Sequence, residues 1–279
     1  MRNPAKFLFA ILLLTFVSPF QAFGQSMSSV NADVVSACPT SGNMTAVDGS
    51  CRATPTKYGI TIYEMGLCAS HPYGTAKNAA TFDSSTCVVT YSDPTASEVD
   101  LAASIGGVSP LTGTSTAPTP GTYKFPYIVM GSTFTVSGEI THDTFGTLRS
   151  NGSSGSNGVS VTDQSDSLVQ FGDSASTCYS GYLGAAVTGG VIDGFITNTS
   201  LARGATASLG VCDTRGRVVG VMTLSTPVAV TPKTYSVVFN FLLTDNGVQW
   251  SDEDSTATDA PEGFGSAPFA GYFVIKNAD

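Results

Sequence analysis

Residues 59–65 read GITIYEM, and within them Ile60 and Ile62 alternate with Thr61 and Tyr63. A period of two puts successive side chains on opposite faces of an extended chain, so the stretch reads as a half-buried β-strand. Working outward, further strands are expected at 87–91 and 99–103, separated by the turn strings HPYG and SDPT. Tyr123, Phe125, Tyr127 and Val129 would share one face of the next strand, with Phe134 and Val136 in its neighbour and Gly131-Ser132 as the turn between them. Pro126 lacks a ladder donor, which predicts an edge strand or a break. Later strands are expected at 158–162, 168–171, 191–196, 207–212, 218–224 and 235–244, the last leading through Asp245-Asn246-Gly247 into a hairpin with VQW. Helix is confined to short turns around 96–105 and 201–208, because Gly and β-branched residues interrupt every other stretch.

Two intervals punctuate this pattern: GGVSPLTGTSTAPTPG at 106–121, with three prolines, and SNGSSGSNG at 150–158. Read as loops or linkers, they divide the chain into two β-sandwich-like modules at 58–149 and 158–279, with one large sandwich as the alternative, preceded at 25–57 by a polar arm and a small disulfide loop. The expected fold class is mainly β, with antiparallel β-sandwich modules, long Gly/Ser/Thr-rich loops and a polar N-terminal arm.

Residues 1–24 carry Arg2 and Lys6, then the apolar run FLFAILLLTFV, then small and polar residues with Ala22 and Gly24 placed for cleavage before Gln25. This is the order of a secretory signal; the 11-residue run is too short for a membrane helix, which needs about 20 residues. No membrane span is expected after cleavage, and no Cys at the cut offers a lipid acceptor. The mature chain keeps 10 basic and 21 acidic residues, a net charge of −11. Such a chain repels a phosphate backbone; Arg203, Arg215 and Arg217 form only a loose basic group, so no nucleic-acid partner is expected.

All six cysteines, Cys38, Cys51, Cys68, Cys87, Cys178 and Cys212, lie in the mature part. An even number in an exported chain predicts three disulfides, with fifteen pairings open and the nearest-neighbour scheme the simplest. No Cys-x-x-Cys pair is present, so neither zinc nor any other cofactor is expected.

Candidate chemistry is sparse. His71, in CASHPYG, reads as a turn residue beside a disulfide, and His142 as the end of a strand. Gly172-Asp173-Ser174 invites comparison with hydrolase nucleophiles, but no Gly-x-Ser-x-Gly elbow surrounds it, and a strand-to-loop turn is the simpler reading. Glu64 and Glu139 are candidates for a glycosidase pair, with outward-facing positions as their simpler role. Asp252, Glu253, Asp254, Asp259 and Glu262 form an acidic cluster without the Gly-centred loop of a calcium site. Tyr179, Tyr182 and Trp250 are the candidates for stacking on a glycan.

Charged residues are only 12% of the chain, about half the usual share. This hydroxyl-rich, charge-poor, disulfide-bearing β texture behind a signal resembles that of bacterial fibre subunits, adhesins and similar surface proteins. The expected function is accordingly a secreted structural or adhesive cell-surface protein, extracellular and partnered by copies of itself or by another surface protein. A secreted carbohydrate-binding module and a secreted hydrolase are the alternatives. In the sequence following the cut, QSMSSVNADVVSA, the side chains of Val30, Ala32 and Val34 fall two apart and share a face when extended. Such an arm can add itself as a donor strand to another subunit's sheet edge.

Overall fold

The computed structural model describes residues 10–12, 37–44, 50–153, 155–168, 181–203, 207–208, 211–212, 216–251, 260–267 and 270–277. The fold is mainly antiparallel β in several sheets, and its one described helical element is the 3₁₀ turn Ala102–Ser104. At its centre stands the strand Lys57–Cys68, which contains the GITIYEM stretch.

This strand belongs to two sheets at once. Its first half pairs with Thr133–Ser137 on one side and Glu98–Asp100 on the other; its second half pairs with Phe125–Gly131 and Cys87–Ser92. Phe125–Gly131 and Thr133–Ser137 therefore run in one direction along the same partner. The turn expected at Gly131-Ser132 is instead an interruption at which the chain changes its outer neighbour, from strand Arg217–Leu224 to strand Gln164–Ser167. Strands that bend and switch sheets make the corners of packed β architectures.

A bulge explains how the apolar pattern survives the switch. Ile60 and Ile62 face the main core, and so do Met65 and Leu67, although an odd step separates the two pairs. The register shift between Ile62 and Glu64 absorbs the extra residue, which is what a β-bulge does to strand parity. Without it, Met65 and Leu67 would turn to the opposite face.

Phe125–Gly131 is a central strand, not the edge that Pro126 suggested. Its ladder with Arg217–Leu224 runs from Tyr127 to Gly131, and Pro126 sits just outside it. Both faces of this strand are buried: Ile128 and Met130 enter the main core, while Tyr127 and Val129 enter a second cluster with Phe195, Val219 and Val221. Tyr123, expected on the face of Tyr127, lies in the main core instead, because Lys124 separates its strand from the next.

The main core is closed by two C-terminal units. Thr234–Leu242 pairs with Ala270–Asn277, and Val248–Ser251 is flanked by Ser50–Ala53 and Gly263–Ser266. The turn at Asp245-Asn246-Gly247 is present, with the N–H groups of Asn246 and Gly247 donating to the Leu243 carbonyl. It is not a hairpin, because the strands it joins lie in different sheets. The interval 106–121 also departs from a plain loop, since Val108–Pro110, Thr114–Ser115 and the first residue of Gly121–Tyr123 are strand. Strands from both sides of residues 150–158 share the largest sheet.

Disulfides join Cys38 to Cys51 and Cys68 to Cys87. Cys212 lies in a two-stranded turn with Ala207, and Cys178 is outside the described residues. None of the described helices is long and apolar enough to cross a membrane.

Candidate functional site

The second face of the central sheet is roofed by the loop that Cys68 and Cys87 close. Tyr73, Ala79 and Phe82 from this loop pack onto Tyr127, Val129, Phe195, Val219 and Val221. The rings interlock: Tyr73 lies 4.3 Å from Phe195 and 5.6 Å from Phe82, and Phe82 lies 5.0 Å from Tyr127. Apolar burial would leave such a roof free to slide; polar contacts at its rim fix it in place.

Asp193 is the anchor. It stands in the strand Gly190–Thr197 with 0% of its surface exposed. One carboxylate oxygen accepts from Lys77 Nζ at 3.0 Å and from the Gly184 N–H at 2.8 Å. The other lies 2.9 Å from Lys77 Nζ and 3.4 Å from His71 Nε2, contacts of ion-pair rather than well-directed hydrogen-bond geometry. Burial pushes the carboxyl pKa up, but His71, Lys77 and the Gly184 N–H together outweigh it and hold the group below the ordinary aspartate value. A lone acid within the apolar run GVIDGFIT was the sequence signal for this anchor.

A neighbouring segment completes the grip. Arg203 donates from Nη1 to the Lys77 carbonyl at 2.9 Å and from its backbone N–H to the Ala80 carbonyl, and its guanidinium lies 5.0 Å from the Phe195 ring centre. Tyr73 donates its hydroxyl to the Leu201 carbonyl at 3.1 Å. Residues 71–83 are thus bolted to the strand of Asp193 and to residues 198–203. Burial raises the Tyr73 phenol far above its ordinary range, which keeps it a neutral donor.

The same geometry decides what His71 can do. Its Nδ1 accepts from the Tyr73 N–H at 3.1 Å, and its Nε2 faces Asp193. Both ring nitrogens of His71 thus face the clamp, Nδ1 as an acceptor and Nε2 at 3.4 Å from the Asp193 carboxylate. Ser174 lies outside the described residues. His142 ends the strand Glu139–His142, as its sequence context implied; it is buried and stacked on Phe145 at 4.7 Å.

The two glutamates do not form a pair. Glu64 accepts from the Tyr127 hydroxyl at 2.7 Å, and Glu139 accepts from Arg149 Nε at 2.9 Å in a different sheet. Trp250 is not a stacking platform, since its surface is 0% exposed and its ring packs on Phe264 at 4.8 Å. Tyr182 pairs with Gly194 through its backbone, while its side chain, like the whole of Tyr179, is outside the described residues. The same holds for Asp252, Glu253, Asp254 and Asp259; Glu262 accepts from the Ser156 N–H through its carbonyl. Arg217 stacks on Tyr63 at 3.5 Å, so it and Arg203 serve separate aromatic contacts instead of a shared basic stripe, and Arg215 is not described. Among the described residues no cluster of three or more potential metal ligands occurs.

The fold defines a disulfide-bearing, mainly β protein. Comparison with protein-family models, with curated proteins and with solved structures finds no match.

Proposed function

We propose that the protein is an exported structural or adhesive surface protein that joins copies of itself through its N-terminal arm. The observation that carries this reading is a strand at residues 10–12, Ala10–Leu12, drawn from the apolar segment that reads as an export signal. It pairs antiparallel with Val108–Pro110 and lies within 8 Å, Cα to Cα, of Thr234–Leu242. A sheet edge whose occupant is removed on export is an edge that another strand can fill.

Other features agree. The clamp of Asp193, Lys77 and His71 and the two disulfides are devices of cohesion, and low charge with abundant hydroxyls suits a packed fibre or wall. Val30, Ala32 and Val34 lie outside the described residues, and their role as donor rests on their alternation. The test is export of the whole chain from a secreting host, followed by intact-mass measurement and electron microscopy. A product starting at Gln25 that forms fibres or arrays is expected. A product that keeps residues 1–24, or that stays monomeric at high concentration, overturns the proposal.

A further inference from the structure

We infer that Lys77 and Asp193 are the two ends of a side-chain amide bond, formed after folding by attack of the lysine amine on the aspartate carboxyl carbon, with His71 as the proton carrier. Three observations meet at this point, and none depends on export or assembly. The first is distance. Lys77 Nζ stands 3.0 Å from Oδ1 and 2.9 Å from Oδ2 of Asp193, so it is nearly equidistant from both oxygens and faces the carbon between them. For a carboxyl group these two distances put Nζ about 3–3.5 Å from Cγ, the separation at which held reactants attack.

The second observation is the way Lys77 is held. Its backbone has a φ of 56°, a left-handed conformation that residues with a Cβ adopt at a cost. The loop fixes it there: the Lys77 N–H donates to the Gly74 carbonyl at 2.9 Å, and the Lys77 carbonyl accepts from Arg203 Nη1. Backbone strain that the surroundings hold in place gathers at reacting centres. The third observation is a facing pair of buried polar atoms. Asp193 Oδ2 and His71 Nε2 have no well-formed hydrogen bond among the described residues, although they lie 3.4 Å apart. Folded proteins leave few such atoms. Because His71 Nδ1 accepts from the Tyr73 N–H, the neutral ring carries its proton on Nε2 and turns it toward Oδ2.

The chemistry balances with no co-reactant. One proton passes from the ammonium to Oδ2 within the pair. The freed electron pair of Nζ attacks Cγ, and the charge that builds on Oδ1 meets the Gly184 N–H, 2.8 Å away, a donor already in place for it. His71 gives its Nε2 proton to Oδ2 and takes the second Nζ proton in exchange, so the ring ends as it began. The Cγ–Oδ2 bond breaks, Oδ2 leaves as water, and the new Nζ–Cγ bond remains as an amide. The surroundings favour the product. Asp193 is 0% exposed, and His71 lies edge-on to Phe125 and Phe195 at 5.5 and 6.0 Å; an amide removes two charges from this apolar site, where ions are costly. Lys77, whose side chain is 27% exposed, stands at the rim through which the water leaves.

The ion pair is the resting state of the freshly folded chain, because burial, which raises the Asp193 pKa, is outweighed by His71, Lys77 and the Gly184 N–H. The bond accumulates from that state with time. Once made, it ties residues 71–83 covalently to the strand Gly190–Thr197 and, unlike the Cys68–Cys87 disulfide, it survives reduction.

The test keeps the folded protein for days at neutral pH, then reduces and fully denatures it before mass measurement. The wild type should become lighter by one water, and its digest should contain a branched peptide joining positions 77 and 193. Lys77→Arg, which keeps the charge but lacks the amine, should hold its full mass, and so should wild type kept unfolded from the start. His71→Gln should gain the bond at least tenfold more slowly at an unchanged thermal midpoint, and an equal rate overturns the proton-carrier role. Wild type that melts cooperatively yet keeps its full mass overturns the bond, as does a water lost between any other pair of residues.

Discussion

Asp193 and Lys77, 116 residues apart in the chain, meet at 2.9–3.0 Å beneath the loop that Cys68 and Cys87 close. Asp193 is fully buried, whereas Lys77 is part-exposed, so the two partners are not equivalent. Removing the lysine leaves a carboxylate with two other partners; neutralising the carboxylate leaves the lysine and His71 facing an amide or an acid that no longer attracts them. Asp193→Asn should therefore destabilise the fold by about 3–4 kcal/mol, at the lower end of the range for breaking a buried pair, and Lys77→Met by less. Urea denaturation of both variants measures the order, and a larger loss in Lys77→Met would contradict the anchor role of Asp193.

Acid should weaken the same contact. The Asp193 pKa is held below its ordinary value of 3.8 in the folded protein, so in the window between the two the unfolded chain binds more protons. Stability from this group is complete above the unfolded value and is lost as pH falls through the lower folded value. A stability profile from neutral to strongly acidic pH should be flatter in Asp193→Asn than in the wild type, and parallel profiles would rule the linkage out.

Gly66 and Tyr127 form a cross-strand pair in which the ring covers the glycine. A Cβ at position 66 would stand 2.5 Å from Tyr127 Cε1 and 2.5 Å from the Val88 carbonyl oxygen, and the backbone atom cannot step aside. Gly66→Ala should cost about 3 kcal/mol, at the upper end for overpacking. Tyr127→Phe, which removes only the hydroxyl donated to Glu64, should cost about 1.5–3 kcal/mol, as for a bond to a charged acceptor. A double-mutant cycle with Glu64→Gln checks that the hydroxyl loss belongs to this contact.

Trp250 is the only tryptophan of the chain and is buried against Phe264. Its emission should be blue-shifted and shielded from acrylamide until the protein unfolds, and soluble glycans should leave it unchanged. Trp250→Ala should cost about 3–5 kcal/mol. Its ring nitrogen has no hydrogen-bond partner among the described residues, so Trp250→Phe should cost much less. Quenching of the native protein by a small solute would show that the residue is exposed.

Each of the two described disulfides closes a short loop, with sequence separations of 13 and 19. The chain-entropy relation assigns each about 3 kcal/mol, so paired Cys→Ala variants should lower stability by that order and do so additively. A third bridge between the remaining Cys178 and Cys212 is expected, so the intact mass of the unreduced protein should be six hydrogens below that of the reduced form. Alkylation of two thiols in the folded, unreduced protein would count against that bridge.

Much of the strand content was legible in the sequence because a period of two is a local signal. Ile60 and Ile62 declare a strand regardless of what lies beside them, and adjacent cysteines such as Cys68 and Cys87 lie within easy reach of one another. Strand neighbours are not local. Whether Gly131-Ser132 turns the chain back or lets it run on depends on the length of Lys57–Cys68, along which both flanking strands lie. Asn246-Gly247 encodes a turn, but the sheets on either side decide whether it closes a hairpin or carries the chain from one layer to another. Met65 and Leu67 share a core with Ile60 and Ile62 only through a bulge, which no count of residues marks. The sequence alone therefore determined that this is a disulfide-bearing, mainly β chain. Tertiary structure decided which edges are paired and which acid is buried, because those follow from hydrogen bonds and packing between residues as distant as Lys77 and Asp193.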